Sequence, residues 1–126
     1  WDVSKALGLL VRSNAAVLEW LASPIIHRRD KQAVAGVAGV ARLAAHRPVL
    51  EYHYDRSARG AWPSAYAEAV RFKALFHALR PALALAWLRR VGAPPPMDLP
   101  SLMAGLAPRP ELVQAVAALR AQGDRK

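Results

Sequence analysis

Three basic side chains of one helical segment are the residues best suited to binding a phosphate. Lys73, His77 and Arg80 recur at intervals of four and three residues, so they share one edge of a helix that turns about 100° per residue. This edge borders a predicted core stripe of Phe72, Phe76, Leu79 and Leu83. A cationic edge beside a buried stripe can bind a phosphate group. The alternative is a solvated face, on which Lys73 snorkels and Arg80 caps a helix end.

A second candidate site is the aromatic triplet Tyr52, His53 and Tyr54. Consecutive helical residues point in three directions, so all three cannot lie in the core. Aromatic rings beside cations such as Arg59 can stack on nucleobases. The alternative for a tyrosine here is burial, with its hydroxyl group hydrogen-bonded.

The sequence offers no cluster of residues for catalysis. Two-metal phosphoryl transfer needs neighbouring carboxylates to hold Mg²⁺, whereas the aspartates are far apart in the sequence. There is no cysteine, and the four histidines lack metal-binding spacing. We therefore expect no catalytic residue, metal or cofactor in this chain, and no activity of the chain alone. The aspartates are Asp2, Asp30, Asp55, Asp98 and Asp124.

The composition is that of a folded, strongly basic protein. Hydrophobic residues make up 54% of the chain, and the formal net charge is +9. A field of this sign attracts polyanions such as RNA or DNA, although an arginine-rich composition is also what a GC-rich genome produces. No secretory signal and no apolar run of the roughly 18–20 residues that span a membrane is visible. We expect a soluble protein located in the cytoplasm.

Helical periodicity dominates, and strand alternation is absent. The pattern predicts an all-α fold, an irregular bundle of about six to seven helices in a single domain over residues 1–126. Asp2, Ser13, Asp30 and Asp98 are the predicted N-caps. The longest helix is predicted from about Ala65 to Val91, with a kink at Pro81. Other expected features are a helix from Pro48 to about Gly60, a loop around residues 62–64, and core positions for Trp20 and Trp87.

Four blocks resemble, in order, a known family. Together they are similar to predicted nucleotidyltransferases of the DNA polymerase beta superfamily, in the branch associated with RNA repair, and the likeness spans about residues 1–107. Two positions differ from the pattern: Ala74 follows Lys73 where a second basic residue is frequent, and His77 stands where an aromatic residue is frequent. The blocks are Trp1 to Ile25, Tyr52-His53-Tyr54, Lys73 to Pro81 with Trp87, and Pro94-Pro95-Pro96-Met97.

The resemblance implies a division of labour between two domains. Family members have an N-terminal α/β catalytic domain with a Gly-Ser motif and paired aspartates, which uses Mg²⁺ and an NTP to transfer a nucleotide to an acceptor such as RNA. The chain opens with Trp1 rather than Met, so we expect a fragment that lacks this domain, its principal partner. By the same resemblance, Lys73, His77 and Arg80 would face the triphosphate or the acceptor backbone, and Tyr52 or Tyr54 would stack a base.

Two other functions remain open at this point. One is a stand-alone basic helical module that binds nucleic acid without chemistry, and the other is a bundle that binds proteins. An apolar surface uncovered by the missing domain would also favour self-association of the fragment.

Overall fold

Helices form most of the chain. The structure is a computed structural model that describes residues 2–65 and 72–123. Seven helices lie in these two stretches, and neither stretch contains a strand, so the predicted all-α bundle is confirmed. None of these helices is both long and apolar enough to cross a membrane. They are α1 (Val3–Val11), α2 (Ala15–Leu21), α3 (Lys31–Ala44), α4 (Arg47–Ala65), α5 (Phe72–Val91), α6 (Leu99–Leu106) and α7 (Pro110–Gly123).

Four helices begin at a side chain that accepts a hydrogen bond from a free backbone N–H of the first turn. Asp2, Asp30 and Asp98 each accept from the N–H three residues later, at 2.8, 3.0 and 2.8 Å, as predicted. The predicted cap Ser13 is wrong, because Asn14 occupies that position for α2 and accepts at 3.3 Å. Ser13 has a left-handed φ of 57°, and its buried hydroxyl is hydrogen-bonded to the C-terminal end of α3.

The helix boundaries around residue 65 differ from the prediction. The loop expected at residues 62–64 is wrong, because α4 continues through them to Ala65. This helix makes the most extensive contacts of the fold with α5, and such tertiary packing outweighs local helix-breaking preference. The predicted start of the longest helix near Ala65 therefore falls in α4, and residues 66–71 lie outside the described residues. Pro81 lies inside the continuous helix α5, while the kink there stays a prediction.

The core consists of two clusters that share α5. The larger cluster joins α1 to α5, and the smaller one joins α5 to α6, with a flank from α7. Because α5 packs into both clusters, the polar side chains on α5 have a fixed position relative to the helices of each cluster. The buried members of the larger cluster are Leu10, Ala15, Val17, Leu18, Ala41, Leu50, Tyr54, Ala84 and Leu88; those of the smaller one are Leu83, Leu102 and Leu106.

The two tryptophans expected in the core have different positions. Trp20 is 50% exposed, so its assignment to the core is wrong. It follows a glutamate whose side chain is turned into the bundle, and neighbouring helical residues point in different directions. Trp87 packs against the smaller cluster, and its indole covers Gly105 of α6. A Cβ atom at Gly105 would collide with the six-membered ring of the Trp87 indole.

Candidate functional site

A charged cluster connects α2, α4 and α5. Glu19 Oε1 accepts a hydrogen bond of 2.6 Å from the Tyr54 hydroxyl group, and it lies 2.9 Å from Arg80 Nη2. The Glu19 side chain is 13% exposed and that of Arg80 is 30% exposed, so the ion pair is largely withdrawn from water. We call Glu19, Tyr54 and Arg80 the α2–α4–α5 cluster.

Arg80 is held from two directions. Its Nε donates a hydrogen bond of 2.8 Å to the carbonyl oxygen of Met97, in the segment that joins α5 to α6. Its Nη2 atom is buried and lies close to Glu19, but it forms no hydrogen bond with any described residue. The contact between Nη2 and Glu19 is therefore an electrostatic one. Because a guanidinium group is planar and rigid, these two contacts fix its orientation.

Tyr54 serves the cluster as a neutral donor. Its ring is 2% exposed, and burial, together with the hydrogen bond to Glu19, raises the pKa of Tyr54 far above its ordinary value. The phenol therefore keeps its proton at any physiological pH. His53 contacts the Tyr54 ring edge-on, with ring centroids 5.2 Å apart.

A small open cavity adjoins the cluster. Its volume is about 190 Å³, and its walls come from α2, α4 and α5. Besides the three residues of the cluster, the polar side chains that line it are those of His53, Ser57 and His77. The cavity thus combines one oriented guanidinium group with two imidazoles and a hydroxyl, all of which can donate hydrogen bonds to an anion.

The predicted phosphate-binding edge is only partly assembled at this cavity. His77 and Arg80 both line it, whereas Lys73, which is exposed on the first turn of α5, is not among its lining residues. For Arg80 the solvated-face alternative is wrong, because its guanidinium group forms an ion pair with Glu19 of α2 and donates a hydrogen bond to Met97 in the segment before α6. Whether these side chains bind a phosphate stays a prediction.

The second predicted site divides between two surfaces. His53 and Tyr54 are at the cavity, and Tyr54 adopts the buried, hydrogen-bonded alternative. Tyr52 is 65% exposed, and its hydroxyl oxygen accepts a hydrogen bond of 3.2 Å from Arg56. Arg59 lies on the surface, where it donates a hydrogen bond of 2.8 Å to the Asp55 carboxylate, which raises the pKa of its guanidinium group. Base stacking stays a prediction, and the exposed ring of Tyr52 suits it best.

Glu19 is the functional candidate that the sequence interpretation missed. A signal was present, since Glu19 is the single charged residue in the apolar run of α2 (AAVLEWL). A carboxylate in such a run is seldom buried unless it is paired. Among residues 2–65 and 72–123, no group of three or more His, Cys, Asp or Glu side chains is arranged to hold a metal ion.

Comparison with known proteins places this helical chain in the DNA polymerase beta class. Residues 1–124 match the model of the RNA repair pathway DNA polymerase beta family, RlaP, and the chain belongs to that family. It is 36% identical over 114 residues to the uncharacterized protein YcgL of Bacillus subtilis (strain 168). The match covers 89% of this chain and 44% of that protein, so the chain spans less than half the length of this relative. No solved structure matches the chain.

Proposed function

We propose that the chain is the helical, substrate-contacting part of a nucleotidyltransferase whose metal-binding carboxylates lie outside this segment. Two findings support this proposal: the chain belongs to the RlaP family, and its match covers only 44% of the relative from Bacillus subtilis. The described residues do not fit a magnesium site, because their carboxylates are not grouped and Glu19 is occupied by Tyr54 and Arg80. Mg²⁺ and the NTP would accordingly be bound chiefly by the part of the protein that this chain does not span.

The observation that carries the proposal is the oriented guanidinium group of Arg80, which lines a cavity together with His77. Enzymes that transfer phosphoryl or nucleotidyl groups bind anions with cations held in a fixed position. Lys73 lies on the exposed face of the same helix, within two turns of Arg80. In this arrangement α5 presents cations to the nucleotide or to the RNA acceptor, and the core clusters on its other faces keep the helix rigid.

The test is nucleotide transfer by a full-length protein that contains this segment. The protein is incubated with Mg²⁺, each labelled NTP in turn and a mixture of RNA ends, and incorporation is measured. We expect His77→Ala and Lys73→Ala to raise KM for nucleotide or RNA, because the first removes a hydrogen-bond donor and the second a cation from the substrate-facing edge. Arg120→Ala, an exposed change on α7, is the matched control and should leave KM unchanged.

Two results would contradict the proposal. One is nucleotide transfer by the 126-residue chain in isolation, since that would require catalytic carboxylates within it. The other is transfer by the full-length protein with the same KM in the His77, Lys73 and Arg120 variants. In that case α5 would have a purely structural role.

A second candidate function is nucleic-acid binding without chemistry. The start of α3 favours it, since Arg28 and Arg29 just before the helix and Lys31, its first residue, are all exposed within four positions. Binding to single-stranded RNA should then weaken with salt, and replacing the three cations by alanine should flatten the slope of log K against log salt by about 2, at about 0.7 per phosphate contact. Failure of the chain to bind RNA at low salt excludes this function.

A further inference from the structure

We propose that the cavity beside the α2–α4–α5 cluster is a pocket for a terminal phosphate group, bound by Arg80, His77, His53 and Ser57, and that Glu19 is a positioning residue for Arg80. The inference rests on the proposed function, and it adds a defined pocket, a ligand class and a role for Glu19. A terminal phosphate is carried both by a nucleotide and by a phosphorylated RNA end, so the shared chemistry is the phosphate monoester.

The size of the cavity favours an end group over a whole nucleotide. Its volume of about 190 Å³ lies below the roughly 300–1,000 Å³ of pockets that enclose a complete small molecule. At about 30 Å³ for each water molecule, it has room for a phosphate group and a few waters. A nucleoside or a continuous RNA backbone would have to remain outside, with only the terminal group inserted.

The donors on the walls match such a group. Arg80 comes from α5 with His77, while His53 and Ser57 come from α4. Arg80 Nε donates to Met97, whereas Nη2 lies beside Glu19 without a hydrogen bond to any described residue. Neither contact involves Nη1, so N–H groups of the planar fork remain for a ligand oxygen. Donors from two helices can therefore surround the oxygens of a monoester, whereas a diester phosphate has substituents on two of these oxygens.

The Glu19 carboxylate also lines the cavity, and its negative charge on its own would oppose anion binding. Its charge is balanced by Arg80, and its Oε1 accepts a hydrogen bond from the Tyr54 hydroxyl group. The carboxylate therefore acts on the anion mainly through Arg80, which it holds in place from the side of α2. The Met97 carbonyl alone would fix only the Nε end of the guanidinium group.

A change at Glu19 distinguishes two explanations, because they predict opposite effects on the affinity for phosphate. Removing the charge in Glu19→Gln should tighten phosphate binding if the carboxylate merely repels the ligand. It should weaken binding, by about tenfold on the scale of a lost charge-assisted contact, if Glu19 positions Arg80. Glutamine retains an oxygen that can accept the Tyr54 hydrogen bond, so the variant is expected to fold.

The binding experiment uses the ¹⁵N-labelled chain at constant ionic strength. The probes are inorganic phosphate, ATP without a metal, and a short oligoribonucleotide with either a 5′-phosphate or a 5′-hydroxyl end. We expect the side-chain signals of His53, His77 and Arg80 to shift with the phosphorylated probes, and the 5′-hydroxyl oligonucleotide to leave them unchanged. ATP and the 5′-phosphorylated RNA distinguish the two sources, since the natural ligand should be the tighter of the two.

Variants and a matched histidine control complete the test. His77→Ala and Ser57→Ala should each weaken binding by about tenfold, whereas His27→Ala should have no effect, because that exposed histidine lies outside this cavity. Dispersed backbone spectra of each variant confirm that it is folded. Unchanged affinity in the His77 and Ser57 variants, tighter binding in Glu19→Gln, or equal response to the 5′-phosphate and 5′-hydroxyl RNA would overturn the pocket. Nucleotide transfer by the full-length protein could still succeed in that case, so the two proposals fail separately.

Discussion

The hydrogen bond between Tyr54 and Glu19 should be a measurable and strongly coupled source of stability. In Tyr54→Phe the ring remains and only the hydroxyl group is lost, which removes a buried donor at 2.6 Å from Glu19 Oε1. A hydrogen bond to a charged group contributes about 1.5–3 kcal/mol. Glu19 keeps its contact with Arg80 in this variant, so we expect a loss of about 2 kcal/mol.

The complementary change removes the acceptor. Glu19→Ala leaves the Tyr54 hydroxyl without its acceptor and the Arg80 guanidinium group without its counter-charge. Breaking a fully buried ion pair costs about 3–5 kcal/mol. Arg80 is 30% exposed and still donates to Met97, which places the expected cost near the lower end, at about 3 kcal/mol.

The decisive quantity is the coupling between the two changes. Without Glu19 the phenol has no partner to lose, so adding Tyr54→Phe to Glu19→Ala should cost about 0 kcal/mol, and the double-mutant cycle should show a coupling of about 2 kcal/mol. Urea unfolding of the chain, followed by far-ultraviolet circular dichroism, measures each free energy of unfolding. The control Tyr52→Phe alters an exposed hydroxyl and should change stability by less than about 0.5 kcal/mol. Additive costs would refute the pairing of Tyr54 with Glu19.

Three further predictions concern the scaffold around the cluster. A Cβ atom at Gly36 would meet nothing within 4 Å, so Gly36→Ala should stabilise α3 by up to about 1 kcal/mol. Gly105→Ala should instead destabilise the protein by about 2 kcal/mol, because its Cβ would collide with Trp87. Equal effects of the two changes in urea unfolding would contradict the packing of Trp87 on α6. Ser13→Ala should lower the free energy of unfolding by about 2 kcal/mol, because the Ser13 hydroxyl is hydrogen-bonded to the end of α3. Ser13→Gly should lower it less, because glycine tolerates the positive φ. The reverse order would contradict this account of the hydroxyl group and the backbone strain. Hydrogen bonds from the first turn of α6 lower the pKa of Asp98 in the folded state, so its charge stabilises α6 above the ordinary aspartate pKa, and this gain is lost as the pH falls through the lowered folded-state value. The stability difference from Asp98→Asn, which can still cap the helix, should therefore shrink below about pH 4, and a difference that stays constant with pH would contradict the role of the charge.

Local chemistry explains which parts of the fold could be predicted. Caps depend on residues within one turn, so Asp2, Asp30 and Asp98 were identifiable from the sequence alone. The choice between Ser13 and Asn14 was not local in the same way. Ser13 is hydrogen-bonded to residues more than thirty positions away. No residue near Ser13 in the sequence indicates that the C-terminal end of α3 lies beside it.

The candidate site shows the same limit. Helical spacing correctly put His77 and Arg80 on a shared edge, because both belong to α5. It could not provide their surroundings, since Glu19 is bonded to Tyr54 across 35 positions of the sequence. The prediction of a loop at residues 62–64 was wrong for a related reason, because α4 continues through these residues where it packs against α5.

The position of Arg80 links ligand binding to folding. The same guanidinium group that faces the cavity also joins α2 to the segment before α6, through Glu19 and Met97. An anion that binds Arg80 in this orientation binds only the folded arrangement of α2, α4 and α5. It must therefore stabilise the folded chain by RT ln(1 + [L]/Kd), which is about 2.7 kcal/mol when the anion concentration is a hundred times Kd. An anion attracted only by the net charge of +9 would also bind the unfolded chain, which carries the same charges, and would stabilise the fold far less. With the tenfold weaker binding expected for Glu19→Gln, the same phosphate concentration should stabilise that variant by only about 1.4 kcal/mol, and this difference separates a built site from a general attraction of anions to a basic protein.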